Sequence, residues 1–301
     1  MRQPLAIAAL AAAASALLYL AYSSGMAVLP LFAYFVQLPL LFVGLALGVP
    51  HAGLTALLAL LVVGLFGGWL AAALYLVLES LPSLLVTRLA LLSRRQEDGE
   101  VEWYPPGLLV GQLLLYCLGA VLLGLLALQL FVGDVATVLA TALRETLAMF
   151  GVDAEGMAPP AWLPLVPGIL GLSWLLMTCI NAVLAQALAQ RAQMAIRPAP
   201  SFVTFMVAPW TLMLLLPSAL GTAFLSGTPL FFAATALVMA AVPYMFQGLA
   251  VIHVLARRAR TPAVPLTLFY AALLFFSWPL ILGVVGLGLV EDWAGLRRRL
   301  I

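Results

Sequence analysis

One carboxyl stands deep inside a long apolar stretch. Glu79 lies roughly eleven residues, or ~16 Å at 1.5 Å per residue, into the run 68–92. An acid at that depth costs at least ~2.5 kcal/mol to insert, so it normally faces a cavity or a partner. The chemistry this suggests is a substrate, proton or cation site. The structural alternative is a protonated carboxyl making one hydrogen bond, or a side chain reaching Ser80 or Ser83; Pro82 removes a backbone donor, and the carbonyls it frees would line a polar pocket beside Glu79. Uncharged groups at comparable depth are Gln37, Gln112, Gln129, Asn181, Gln186 and Gln247. Each can tie helices together by hydrogen bonds. Asn181 and Gln247 are the stronger ligand candidates because each lies well inside a long apolar run, and Gln37 joins them as a further candidate for binding a compact polar ligand. No Ser, Cys or acid is paired with a base in a recognisable catalytic spacing, so no enzyme is expected. His51 and His253 lack nearby ligands, and Cys117 and Cys179 sit in apolar surroundings. Neither a metal centre nor a cofactor is implied.

These residues must be positioned by helices in lipid. The chain is 65% hydrophobic and 8% charged, and its 13 basic and 11 acidic residues, Glu79 apart, fall in or beside short breaks between apolar runs. Lys is absent, and no basic stripe with interleaved aromatics points to nucleic acid. The apolar runs are 4–23, 27–48, 52–67, 68–92, 106–132, 161–191, 202–225, 229–256 and 264–290. They show no period-two alternation. The expectation is therefore an all-α polytopic bundle of eight or nine spans. Gly67-Gly68 should split a run that is otherwise twice the hydrocarbon thickness. Pro30, Pro39, Pro209, Pro217, Pro243 and Pro279 should bend or break others. Arg2 with the run that follows reads as a retained first helix in preference to a secretory signal.

Arg clusters at 88–95, 191–197 and 257–260 are separated by even numbers of crossings. With Arg2 they place the N-terminus and those loops in the cytoplasm of a bacterial inner membrane. The loop 133–160, with Asp134, Arg144, Glu145, Asp153 and Glu155, then falls outside. In it Val135, Val138, Leu139, Ala142, Leu143, Leu147 and Phe150 follow helical spacing behind an Asp134 N-cap, which predicts one amphipathic interfacial helix. A full ninth crossing puts Arg297, Arg298 and Arg299 outside, against the positive-inside rule. The alternative is a bend at Ser277-Trp278-Pro279 and a return, and nine crossings with 291–300 as a short interfacial helix is the preferred reading. One membrane domain is expected over 1–301, with an N-terminal four-helix region at 1–92, a cytoplasmic loop at 93–105 and a C-terminal region at 106–301. Gln186, Gln190 and Gln193 form a stripe suited to solvent or a partner.

Three stretches resemble the YybS-like family of bacterial membrane proteins. They are Gln37-Leu38-Pro39-Leu40 with Gly44 and Gly48, Gln247-Gly248-Leu249-Ala250, and Gly286-Leu287-Gly288-Leu289 with Asp292-Trp293 and Arg297-Arg298. The resemblance implies a polytopic plasma-membrane protein and assigns no catalytic residue. The family is distantly similar to the S components of energy-coupling factor transporters, which dock on a coupling subunit through an Ala-xxx-Ala face of the first helix. Ala8, Ala12 and Ala16 supply such a face here. The expected function is thus a small-molecule carrier or substrate-binding membrane component, with a non-catalytic envelope scaffold as the alternative. The expected partners are the lipid bilayer, a small polar ligand and a membrane coupling or assembly subunit.

Overall fold

With no water to satisfy them, backbone groups in lipid must pair within their own segment, and the apolar runs accordingly form helices. The computed structural model describes residues 2–23, 33–97, 99–153 and 156–300. Its elements are α1 (Arg2–Ser23), α2 (Leu38–Leu47), α3 (Val49–Tyr75), a π turn (Leu76–Ser80), α4 (Leu81–Ala90), β1 (Ser93–Arg95), β2 (Val101–Trp103), α5 (Pro106–Phe131), α6 (Val135–Met149), α7 (Val166–Arg191), α8 (Thr211–Phe224), α9 (Thr228–Ala256), α10 (Ala263–Ala294) and α11 (Leu296–Leu300).

Among the described residues, six helical stretches are long and apolar enough to cross a membrane: Gln3–Ser23, Val49–Ala90, Pro106–Phe131, Leu163–Arg191, Thr228–Ala256 and Ala263–Ala294. This differs from the eight or nine expected, for identifiable reasons. Val49–Ala90 is one apolar stretch of 42 residues, ~63 Å if straight and so about twice a hydrocarbon core. It is broken at Gly68, whose φ of 82° and ψ of 175° are non-helical. A Cβ on Gly64 would lie 3.6 Å from that of Ala72, whereas residues eight apart on a continuous helix are ~12 Å apart. The chain doubles back there. The run 27–48 yields only the ten-residue α2, ~15 Å long, and its beginning, with Pro30, lies outside the described residues. The run 202–225 yields only α8, 14 residues, because Pro209 bars its predecessor from helix. A 3-10 turn at Phe202–Thr204 is the one regular piece of 201–208.

Two more breaks shape the C-terminal region. Ser277, at the expected bend, has φ 32° and ψ −110°. Gly295 ends α10 in the left-handed conformation, so 291–300 is not one helix but the last turn of α10 followed by α11. Packing divides the chain into two compact units, Met1–Leu113 with Trp174–Pro200, and Leu114–Ser173 with Ser201–Ile301. Residues 174–200 thus group with the N-terminal region.

In the first unit, Ala12, Ala16 and Tyr19 of α1 pack with Ala56, Ala59 and Val63 of α3 and with Val36, Leu40 and Tyr75. Ala8, Ala12 and Ala16 are all buried. The small-residue face expected to receive a partner is therefore covered by the chain's own helix. β1 and β2 form an antiparallel hairpin in the loop 93–105, closed by the exposed Arg94–Glu102 pair at 2.9 Å.

In the second unit, α8 and α9 run antiparallel. Thr211 meets Tyr244, and a Cβ on Gly221 would lie 2.9 Å from that of Ala233. The second half of α10 is also antiparallel to α9: Gly248 lies against the Val284 carbonyl, and Gly288 against the Tyr244 carbonyl. Any Cβ at either glycine would overlap those oxygens, so the close crossing requires both. α6 starts at the expected Asp134 cap, whose carboxylate accepts from the Thr137 amide at 3.1 Å. Its inward residues are Val135, Ala136, Leu139, Ala140 and Leu143, packed with Leu125, Leu163 and Phe231. Ala142 and Phe150, placed on that face by spacing, are exposed.

Two outcomes follow from this packing. Gly288→Ala lowers thermal stability in detergent by about 1–3 kcal/mol or more through overpacking, while Gly283→Ala and Gly286→Ala, which meet nothing within 4 Å, leave it unchanged or raise it. The Thr137 amide and the Thr228 and Thr137 hydroxyls hold the Asp134 carboxyl below the usual carboxylate range. Its stabilising contribution is therefore complete above about pH 3.9 and disappears as pH falls through the lowered value. Asp134→Ala should melt below wild type at neutral pH, and the gap should close at strongly acidic pH.

Candidate functional site

Each helix break leaves backbone groups without their usual partners, and the deep polar side chains are found at these breaks. Pro82 has no N–H to give the Leu78 carbonyl, and the π turn shifts the neighbouring bonds, so that the Leu81 amide reaches back to Leu76. The Leu78 carbonyl instead accepts from Gln37 Nε2 and from Trp174 Nε1, both at 2.9 Å. The Gln37 side chain also approaches the Glu79 carboxyl. Asn181 Nδ2 donates to the Tyr34 carbonyl at 2.6 Å and to that of Met177 at 2.9 Å, which anchors the turn leading into α2. Ser15 Oγ donates to the Val36 carbonyl at 2.7 Å. Its only proton is spent there, so the Tyr75 hydroxyl is the donor in their 2.7 Å contact. Tyr19 stands edge-on to Tyr75 with ring centroids 5.1 Å apart.

The first unit thus brings Gln37 and Glu79 into contact, with Asn181 holding the turn that carries Gln37. All three are buried, Glu79 with 8% of its surface exposed. Not all of their hydrogen-bonding capacity is used. Gln37 Oε1, Glu79 Oε2, Ser80 Oγ and Asn181 Oδ1 are buried without a partner. Buried polar atoms in proteins are normally paired, so such a concentration calls for an explanation.

Gln247 belongs to the second unit and has a different task. Its Oε1 accepts from the Val207 amide at 2.8 Å, and its Nε2 donates to the Gly288 carbonyl at 2.8 Å and to Asp292 Oδ1 at 2.5 Å. Both amide protons are spent. Gln247 is therefore a structural clasp between the irregular 201–208 segment and α10. Arg297 performs the complementary service. Its Nε pairs with Glu291 at 2.8 Å, and its Nη1 donates to the Val203 and Phe205 carbonyls at 2.7 Å each.

Glu79 is consequently not the only buried charge. Arg197 is buried too, donating to the Ala90 carbonyl at 2.8 Å and lying 5.6 Å over the Trp103 ring. Gln186, expected on a solvated stripe, is buried and donates to the Arg197 carbonyl at 2.8 Å. His51 and His253 each contact the carbonyl four residues earlier. No group of three or more His, Cys, Asp or Glu that could hold a metal occurs among the described residues. Two open crevices, of about 300 Å³ beside the β-hairpin and about 490 Å³ beside the C-terminal arginines, are lined by other residues than the Glu79 group.

Trp174, Tyr75 and Ser15 are not singled out by sequence reasoning. The position four residues before Pro82 is the available signal, since it marks a carbonyl that needs a donor from elsewhere.

Apolar helices of membrane-crossing length enclosing these polar groups define an integral membrane protein. The chain belongs to a family described as predicted membrane protein (DUF2232), whose model matches residues 12–291. No curated protein and no solved structure matches the chain.

The buried Glu291–Arg297 pair gives a direct test of the clasp. Removing either partner leaves an uncompensated charge, so Glu291→Ala or Arg297→Ala should each cost about 3–5 kcal/mol, read as loss of thermal stability in detergent. A double-mutant cycle should show strong coupling between them.

Proposed function

We propose that this protein is a carrier or substrate-binding membrane component that captures a compact polar ligand at the Gln37–Glu79–Asn181 group. The observation that carries this reading is that four buried, unpaired oxygens, those of Gln37, Glu79, Ser80 and Asn181, belong to one group of residues around a broken helix, whereas buried polar atoms are normally paired. π turns inside helices are frequent at functional sites. Gln247, grouped with these residues by depth alone, serves the fold of the second unit instead.

In this reading the chain crosses a bacterial inner membrane eight or nine times with its N-terminus in the cytoplasm. The hairpin at Gly68 supplies two of the crossings, and α6 lies on the outer surface as an interfacial helix. The likeness to YybS-like proteins and to S components of energy-coupling factor transporters supports a binding role that draws energy from a partner or from an ion gradient. It does not extend to docking through Ala8, Ala12 and Ala16, all of which are buried, Ala12 and Ala16 against α3. That same burial weakens the alternative of an envelope scaffold built on this face. No catalytic step is assigned to any residue.

Ligand screening by thermal shift and uptake into proteoliposomes tests the proposal. Wild-type protein should be stabilised by its ligand and should take it up, and Glu79→Gln should lose both. Unchanged uptake and unchanged stabilisation by every ligand in Glu79→Gln would remove Glu79 from the site.

A further inference from the structure

Three of the four unpaired atoms of the Glu79 group can only accept, and the fourth, Ser80 Oγ, can donate or accept. An amide can be turned end for end, but neither amide here has that freedom. Asn181 Nδ2 faces two carbonyls, those of Tyr34 and Met177, and turning it would set oxygen against oxygen at both. Gln37 Nε2 faces the Leu78 carbonyl in the same way. With the amides held in these orientations, what is left over is three acceptors, Gln37 Oε1, Asn181 Oδ1 and Glu79 Oε2, beside the Ser80 hydroxyl. Tyr75 gives its proton to Ser15 and keeps only lone pairs to offer. No arginine or histidine among the described residues is paired with Glu79; the ion pairs found are Arg94–Glu102 and Arg297–Glu291.

A buried carboxylate without a countercharge is among the costliest arrangements in a low-dielectric interior. A proton on Glu79 neutralises it but supplies one donor for several oxygens. An anionic or acceptor-rich ligand would meet repulsion at three free acceptors and find a donor only in the Ser80 hydroxyl. A compact cation supplies both the missing charge and partners for the lone pairs.

We infer that the Gln37–Glu79–Asn181 group binds a compact monovalent cation, either an alkali-metal ion or the ammonium head of a small amine. This rests on the ligand-site reading above and narrows its chemistry. The side chains divide the work: Glu79 supplies the charge, the two amide oxygens complete the shell, and the Leu78 and Tyr34 carbonyls hold those amides in the acceptor-outward orientation.

The test uses the full chain in detergent, with thermal shift and calorimetric titration by sodium chloride, lithium chloride and methylammonium chloride. N-methylglucamine chloride, a cation too bulky for a closed site, controls for ionic strength. At least one compact cation should raise the melting temperature above that control, and Glu79→Gln should weaken its apparent affinity about tenfold or more. A response to sodium or lithium alone identifies a metal ion, and one to methylammonium alone identifies an amine; either supports the inference. A second measurement needs no variant: labelling of wild-type Glu79 by a hydrophobic carbodiimide, located by mass spectrometry, should slow when the compact cation is present. Equal effects of all four salts together with unprotected labelling would overturn the inference. If a neutral probe such as acetamide stabilises wild type but not Glu79→Gln while no cation does, the site stands and its cation character falls. If no probe of either kind depends on Glu79, the site reading falls as well.

Discussion

A break in a helix inside lipid exposes backbone groups that no water can satisfy, and the whole arrangement of polar side chains in this protein answers that constraint. Each unpaired backbone group in a low-dielectric interior costs several kcal/mol, so each break must be met by a donor or acceptor brought from elsewhere in the chain. The π turn at Leu76–Ser80 is met by Gln37 and Trp174. The turn before α2 is met by Asn181 and Ser15. The extended segment before α8 is met by Gln247 and Arg297. These contacts join residues 21 to 147 positions apart, so the breaks themselves become the tertiary links within each unit.

The same constraint separates structural polar residues from candidates for binding. A side chain recruited only to repair a break should end with its capacity used up, as Gln247 does with two donors and an acceptor engaged. Arg297, with a carboxylate and two carbonyls, is likewise committed. Gln37 and Asn181 repair breaks with their amide nitrogens but keep an oxygen unspent, and those oxygens occur in the unit that also buries Glu79. A repair that needed only donors would have been served by serine or tryptophan, as it is at Val36 and partly at Leu78.

Much of this was legible in the sequence, for physical reasons that also set the limit. Long apolar runs give helices because lipid permits little else, and the local signals at Gly68, Ser277 and Asp134 lie within the stretch of chain they act on. The Gly68 reversal and the Asp134 cap therefore occur where spacing and composition placed them, and the Ser277 break falls at the bend of the alternative reading of 264–290. Span lengths were less legible, since Pro209 and the turn at 33–37 shorten α8 and α2 below the extent of their apolar runs. The roles of the deep amides were the least legible. Gln37, Asn181 and Gln247 are alike in hydropathy and depth, and only the partners chosen by each show that Gln247 is a clasp. The burial of Ala8, Ala12 and Ala16, the last two against α3, has the same origin, because a small-residue face suits an intramolecular neighbour as well as a foreign one.

The two units use close packing differently, and the difference bears on where motion is tolerable. In the second unit, α9 and α10 touch backbone to backbone at Gly248 and Gly288, and the Gln247 amide and the Glu291–Arg297 pair lock the adjoining turns. The Gln247 amide and the Glu291–Arg297 pair are engaged there at several points, so displacing α10 would open several bonds at once. In the first unit the contacts around Glu79 run through single side-chain bonds to carbonyls freed by the π turn, a turn type that can shift its hydrogen-bond register by one residue without breaking the helix. Binding at Glu79 would draw on the oxygens still unspent and would leave the bonds to Leu78 and Tyr34 in place. The arrangement is therefore one in which a site can be filled without unmaking the fold, because the atoms that hold the backbone and the atoms left for a ligand are different ends of the same amides.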